Sequence, residues 1–113
     1  MEGIEQLLRR GIVPTAVLCA NDAMALGAIK ALNAQRLSVP RDVSVMGYDD
    51  SAHLDYLPQS ITTVRQPKQL LGEQAANLLM RRIREPEGPP EKIVVRPELV
   101  IRKSTAAYRG TAR

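Results

Sequence analysis

Hydrophobic positions fall in two rhythms along this chain. Ile4, Leu7 and Leu8 recur at helical spacing within Glu2 to Arg10, with acids early and arginines late, a polarity that suits a helix dipole. Gly11 is the expected stop. The near-continuous apolar run Thr15 to Ala20 predicts a strand buried on both faces. Asn21-Asp22 then offers a helix N-cap, and Ala23 to Gln35, rich in Ala, Leu and Met and free of Pro, predicts a helix. Met24, Gly27, Ala28, Ala31 and Leu32 form one apolar stripe, with Leu26 and Ile29 off it. So wide an apolar arc has more to bury than one sheet face can cover; a partner surface or a second layer of the same chain would cover the rest. Val43 to Met46 is a short β-branched and apolar run that predicts a buried strand, ended by Gly47 and followed at once by Tyr48, Asp49 and Asp50.

The second half continues with a loop or short helix over Ser51 to Ser60, whose apolar members are Leu54, Tyr56 and Leu57. Ile61 to Val64 is a β-prone run, and Pro67 suits the first turn of a helix over Lys68 to Glu85. Leu71, Ala75, Leu78, Leu79 and Ile83 lie on one face of that helix, and Gly72 inside it points to a close helix contact. Glu85 to Pro90 is a loop, Lys92 to Arg96 and Glu98 to Arg102 are two strand pieces divided by Pro97, and Ala106 to Arg113 reads as a frayed tail. Strand, helix and strand with short connections make a βαβ unit with parallel strands. Their carboxyl ends, at Ala20 and Gly47, then share one sheet edge, and Asn21 and Asp49 face one crevice.

Composition narrows the chemistry. The 113 residues, 44% hydrophobic and 25% charged, suit one ordinary globular domain or pieces of two small ones. The net charge of +4 is scattered, and with no Phe or Trp and no basic helix it reads as solvated surface rather than a nucleic-acid footprint. The single Cys19 sits in an apolar strand as a small hydrophobe, and its lack of a disulfide partner fits a reducing compartment. No run approaches the roughly 18 apolar residues of a membrane span, and the acidic start shows no signal peptide. No nucleophile elbow, phosphate loop or Cys/His constellation is present, so neither a catalytic residue nor a metal or cofactor is expected. Adjacent Asp49 and Asp50 point apart, and His53, the lone His, falls on an unpatterned loop. Asp22 reads as a cap and Asp50 as a local turn carboxylate. A carboxylate at Asp49 and an amide at Asn21 together suit a polyol such as a sugar, or a purine edge. Tyr48 either lines the crevice or packs beneath it.

Four ordered blocks carry a family resemblance: Ala20 to Ala28 (ANDAMALGA), Val39 to Asp50 (VPRDVSVMGYDD), Ile61 to Pro67 (ITTVRQP) and Leu99 to Thr105 (LVIRKST). They resemble the C-terminal part of the effector-binding domain of the lac repressor (LacI/GalR) family of bacterial transcription regulators. The resemblance implies an α/β, parallel-sheet, periplasmic-binding-protein-like (type I) fold, truncated and mostly the C-terminal lobe. Residues 1–61 would be the second half of that lobe, 62–97 a crossover with a helix and strand of the N-terminal lobe, 98–105 the return strand, and 106–113 a flexible tail. Asn21 and Asp49 align with effector contacts of the family, and Tyr48 joins them as a candidate. Leu26, Leu54, Tyr56 and Leu57 would form the dimer contact or else close the lobe's own core. The expected partners are a small sugar-like metabolite, a second copy of the chain, and operator DNA only through a helix-turn-helix with no counterpart here; no membrane is implied, and the location is cytoplasmic. A fragment of this kind, with strand edges open, is expected to dimerise, exchange strands or be marginally stable. The alternative function is a fragment of a periplasmic-type sugar-binding protein, with a doubly wound enzyme and a nonfunctional remnant behind it.

Overall fold

Glu2 and Glu5 in the first turn and Arg9 in the last put favourable charge at each end of α1 (Glu2–Arg9) in the computed structural model, which describes residues 2–52, 60–108 and 110. Gly11 stops the helix as expected, at φ 73°. Its N–H donates to Leu8 O at 2.9 Å and that of Ile12 to Leu7 O at 3.0 Å, the paired bonds of a Schellman cap.

The βαβ unit then follows as β1 (Ala16–Leu18), α2 (Asp22–Ala34) and β2 (Ser44–Met46). β1 and β2 are parallel, with Ala16 opposite Ser44, Val17 opposite Val45 and Leu18 opposite Met46. Parallel bridges from Met46 to Thr62 and from Asp49 to Arg65 extend the pairing to β3 (Thr63–Arg65), which pairs in turn with β4 (Glu98–Val100). Ser104 closes the fork on the far side of β2. Its Oγ donates to Val45 O at 2.6 Å and accepts from Thr62 N–H at 2.8 Å, while Val45 N–H donates to Ser104 O at 2.8 Å. The chain remains docked one step further than expected: Ala106, placed in the frayed tail by sequence, donates its N–H to Ser44 Oγ at 3.2 Å.

The core lies between α2 and the sheet. Ala25, Ala28, Ile29 and Leu32 join Val43, Val45 and Ile61, and Ile4 of α1 and Cys19 complete the cluster. The apolar arc of α2 is thus turned from its expected position. Met24 is 53% exposed, whereas Ala25 and Ile29 are buried. The reason is Asp22, which is itself buried and in phase with Ala25, Ile29 and Leu32 on one helical face. A polar residue at the head of the buried stripe hides the true phase. The second layer over α2 comes, at Ile4 and the partly buried Leu8, from the same chain.

Three other expectations are corrected. β1 is covered on one face rather than two. Val17 packs against the core, but Leu18 is 74% exposed, because no described element lies over the other face. Residues 66–98 form a separate compact unit containing α3 (Lys68–Arg84), and no residue of that helix is buried. A Cβ at Gly72 would meet nothing within 4 Å, so the close contact expected there is not made among the described residues. The strand expected at Ile93-Val94-Val95 does not form, since a strand needs a hydrogen-bonding neighbour and none is described in this unit. What braces the unit locally is a two-pronged pair, Arg81 Nε and Nη2 to the Glu91 carboxylate at 3.1 and 2.7 Å.

Candidate functional site

Two loops leave the same edge of the sheet, because β1 and β2 are parallel. The loop after β1 carries Asn21 and Asp22; the loop after β2 carries Tyr48, Asp49, Asp50 and Ser51. They are joined directly: Asp22 N–H donates to Tyr48 O at 2.9 Å. Asn21 and Asp49, expected at one rim, therefore stand on adjoining loops at the strands' carboxyl ends. Open α/β sheets bind ligands at this edge.

Asn21 caps α2. Its backbone is extended, and Oδ1 accepts from Met24 N–H at 2.8 Å. The cap uses the oxygen and leaves the side-chain amide's N–H groups for another acceptor. Tyr48 is half-buried, and its carbonyl is the one that receives Asp22 N–H. Asp49 is half-buried, with φ 107°, a backbone conformation that few side chains adopt. Its N–H is held by Val64 O at 2.9 Å. Asp50 also has positive φ, at 48°. Two consecutive residues in this region persist only where the surroundings over-determine them.

Asp22 does much of that over-determining, and sequence reading assigned it a lesser role. Its carboxylate is wholly buried. Oδ1 accepts from Thr63 Oγ1 at 2.6 Å and Oδ2 from Ser51 N–H at 2.8 Å. It therefore clamps the loop after β2 between α2 and β3, with its charge at the favourable end of the helix. Gly47 makes room for it: a Cβ there would come within 3.1 Å of Asp22 Cα and closer still to its carboxylate. The signal in sequence was the Gly47 that ends the strand run, read only as a stop.

Asp50 is likewise more than a turn carboxylate. Oδ2 lies 2.6 Å from Arg65 Nε and Oδ1 2.7 Å from Arg102 Nη2, and the side chain is only 11% exposed. Burial pushes its carboxyl up, but the hydrogen bonds and charges of Arg65 and Arg102 outweigh that and hold it below the usual carboxylate range. Arg102 is fixed in turn by Ile61 O, 3.0 Å from Nη1.

Cys19 is buried beside the rim, and burial pushes its thiol up, away from the reactive thiolate. Among the described residues no group of three or more His, Cys, Asp or Glu is arranged to hold a metal ion, and no helix is long and apolar enough to cross a membrane. Of the expected dimer contacts, Leu26 is partly buried against the core, and Leu54, Tyr56 and Leu57 lie outside the described residues, as does His53. A concavity of about 700 Å³ lies at the other edge of the sheet, by Thr15, Pro40, Ser44 and Tyr108, away from Asn21 and Asp49.

This edge geometry has close relatives. The periplasmic binding protein-like domain matches residues 1–105, and the chain belongs to that family. It is a portion of the effector-binding domain found in LacI-type regulators. The HTH-type transcriptional repressor PurR of Histophilus somni (strain 2336) is 48% identical over 103 residues, which are 91% of this chain and 31% of that protein. The lac repressor dimer bound to operator and the anti-inducer ONPF superposes with a TM-score of 0.83 at 38% identity, over 94% of this chain and 37% of that one. The transcriptional regulator CelR in its cellobiose complex gives a TM-score of 0.81 at 36% identity, over 91% of this chain and 32% of that one. The chain thus spans about a third of the length of the relatives it matches.

Proposed function

We propose that this chain is the effector-sensing and dimerising portion of a bacterial LacI-type transcription repressor. A small polar metabolite, sugar-like or purine-like, is held at the carboxyl edge of β1 and β2 by Asn21, Asp49 and Tyr48. Asn21 offers the N–H groups its cap leaves over; Asp49 offers carboxylate oxygens to hydroxyl or ring N–H donors. The observation that carries the reading is the Asp22 N–H to Tyr48 O bond across parallel strands, which joins the two polar loops at one edge. Residues 1–61 and 98–105 belong in this reading to the C-terminal lobe, and residues 62–97 to a crossover and part of the N-terminal lobe. The chain acts without chemistry of its own, in the cytoplasm, as a homodimer with Leu26, Leu54, Tyr56 and Leu57 near the contact. DNA is reached only through a helix-turn-helix outside this chain. The relatives' names support the reading: a repressor, an operator-bound dimer and a regulator complexed with cellobiose.

Thermal shift against cellobiose, ribose, hypoxanthine and guanine tests it. One of these at about 100 times its Kd should stabilise the chain by about 2.7 kcal/mol. Asp49→Asn, which tolerates the backbone conformation and removes the charge, should abolish most of the shift. A ligand whose shift is unaltered by both Asp49→Asn and Asn21→Ala would move the site elsewhere.

A further inference from the structure

The two compact units, residues 1–65 with 99–113 and residues 66–98, are joined by two chain crossings, Arg65 to Gln66 and Glu98 to Leu99. The strands that lead to them, β3 and β4, are paired. Asp50 braces the approaches to both from within the first unit. One carboxylate oxygen holds Arg65, the last residue before the outgoing crossing, at 2.6 Å; the other holds Arg102, just past the returning one, at 2.7 Å. Thr62 Oγ1 ties the same two approaches together, accepting from Arg102 N–H at 2.9 Å.

We infer that Asp50 is a positioning residue that couples ligand occupancy at Asp49 to the two chain crossings, by holding Arg65 and Arg102 at their roots. This rests on the effector-binding reading of Asp49. The coupling is short. Asp49 and Asp50 are neighbours in consecutive positive-φ conformations, and both are held to β3, Asp49 N–H donating to Val64 O at 2.9 Å and Asp50 N–H to Thr63 Oγ1 at 3.4 Å. The Arg102 pair is the shielded one: side-chain exposure is 11% for Asp50 and 20% for Arg102, against 49% for Arg65, so releasing Arg102 leaves poorly solvated charge behind. A ligand that favours one arrangement of these pairs over another would bias the crossings by its difference in affinity for the two.

Site-resolved hydrogen exchange on the whole chain tests the inference. The reporters are the amides of Asp49, bonded to Val64 O, and Arg102, bonded to Thr62 Oγ1; the references are those of Cys19 and Ser44, bonded to Met46 O and Thr15 O. Without ligand, Asp50→Asn should speed the reporters about tenfold relative to the references, and Asp50→Glu should recover part of that. Equal acceleration everywhere, or none at the reporters, overturns the brace. With cellobiose and hypoxanthine as probes, a binding probe should alter exchange at Arg102 in the wild type. In Asp50→Asn it should still bind, within about fivefold in Kd, yet leave Arg102 unchanged. A response at Arg102 that survives Asp50→Asn overturns the coupling. Binding of neither probe counts against the effector reading alone, and the ligand-free comparison then decides the brace.

Discussion

Gly47 carries more of this structure than its side chain suggests. It lets the β2 strand pass within close contact of the buried Asp22, whose carboxylate then holds Ser51 and Thr63. Gly47→Ala should cost about 1–3 kcal/mol, the usual range for overpacking, seen as a lower urea midpoint. Because the strain is absorbed by Asp22 and the loop it clamps, the same change should weaken any ligand held by Asp49. Arg36 is the opposite case. It occupies the cap position beyond α2, at φ 61°, with Arg36 N–H to Asn33 O and Leu37 N–H to Leu32 O both at 3.0 Å. That is the cap Gly11 makes after α1, but with a side chain where glycine is preferred. Arg36→Gly should stabilise the chain by about 1 kcal/mol, since it relieves a left-handed conformation at an exposed site. Calorimetry should show this as a rise in Tm of about 4 °C or more, and a fall would mean that Arg36 holds a contact worth more than its strain.

Among elements, the loop after β2 is the point of convergence. It is tied to α2 by Asp22, to β3 by the Asp49–Arg65 bridge, and to the segment after β4 by the Asp50–Arg102 pair. The lowered carboxyl of Asp50 gives this convergence a pH signature. A carboxylate depressed in the folded state adds stability above its unfolded value, about 3.9, and that stability is lost as pH falls through the lower folded value. Wild type should therefore lose stability below about pH 4 more steeply than Asp50→Asn. Asp42 is also lowered, first by the Ser38 N–H bond and then by Arg41, and titrates in both proteins. Denaturation midpoints measured against pH isolate the Asp50 part as the difference between the two curves. Parallel curves would mean that Arg65 and Arg102 gain nothing from its charge. Elsewhere the elements are less well satisfied. α3 keeps an apolar face with Leu79 and Ile83 exposed, and β1 leaves Leu18 in solvent.

For the molecule as a whole, these uncovered faces favour association. Leu18 and Ile101 in the first unit, and Leu79, Ile83 and Val94 in the second, are each at least 60% exposed, large apolar side chains that a partner surface would cover. Light scattering should return a mass twice that of one chain, and dilution should lower the melting temperature, as it does when folding and association are linked. A single-chain mass with a cooperative, concentration-independent melt would remove the homodimer from the reading.

The sequence by itself determined the local alphabet of this protein: where helices start and stop, and that two short apolar runs flank one helix as a parallel pair. Those features rest on near-neighbour chemistry, such as the Asn21 cap, the Gly11 stop and the β-branched run before Gly47, so they are legible one residue at a time. The four ordered blocks carried the family as well. Tertiary structure alone decided which face of α2 is buried, because the phase is set by Asp22, a polar residue whose partners lie at Ser51 and Thr63. It alone revealed the two arginines on Asp50, which come from positions 65 and 102 and meet only once β3 and the chain after β4 are laid beside β2. It also decided which predicted strand forms: hydrogen bonds between strands are made with a neighbour, and Ile93-Val94-Val95 has none among the described residues.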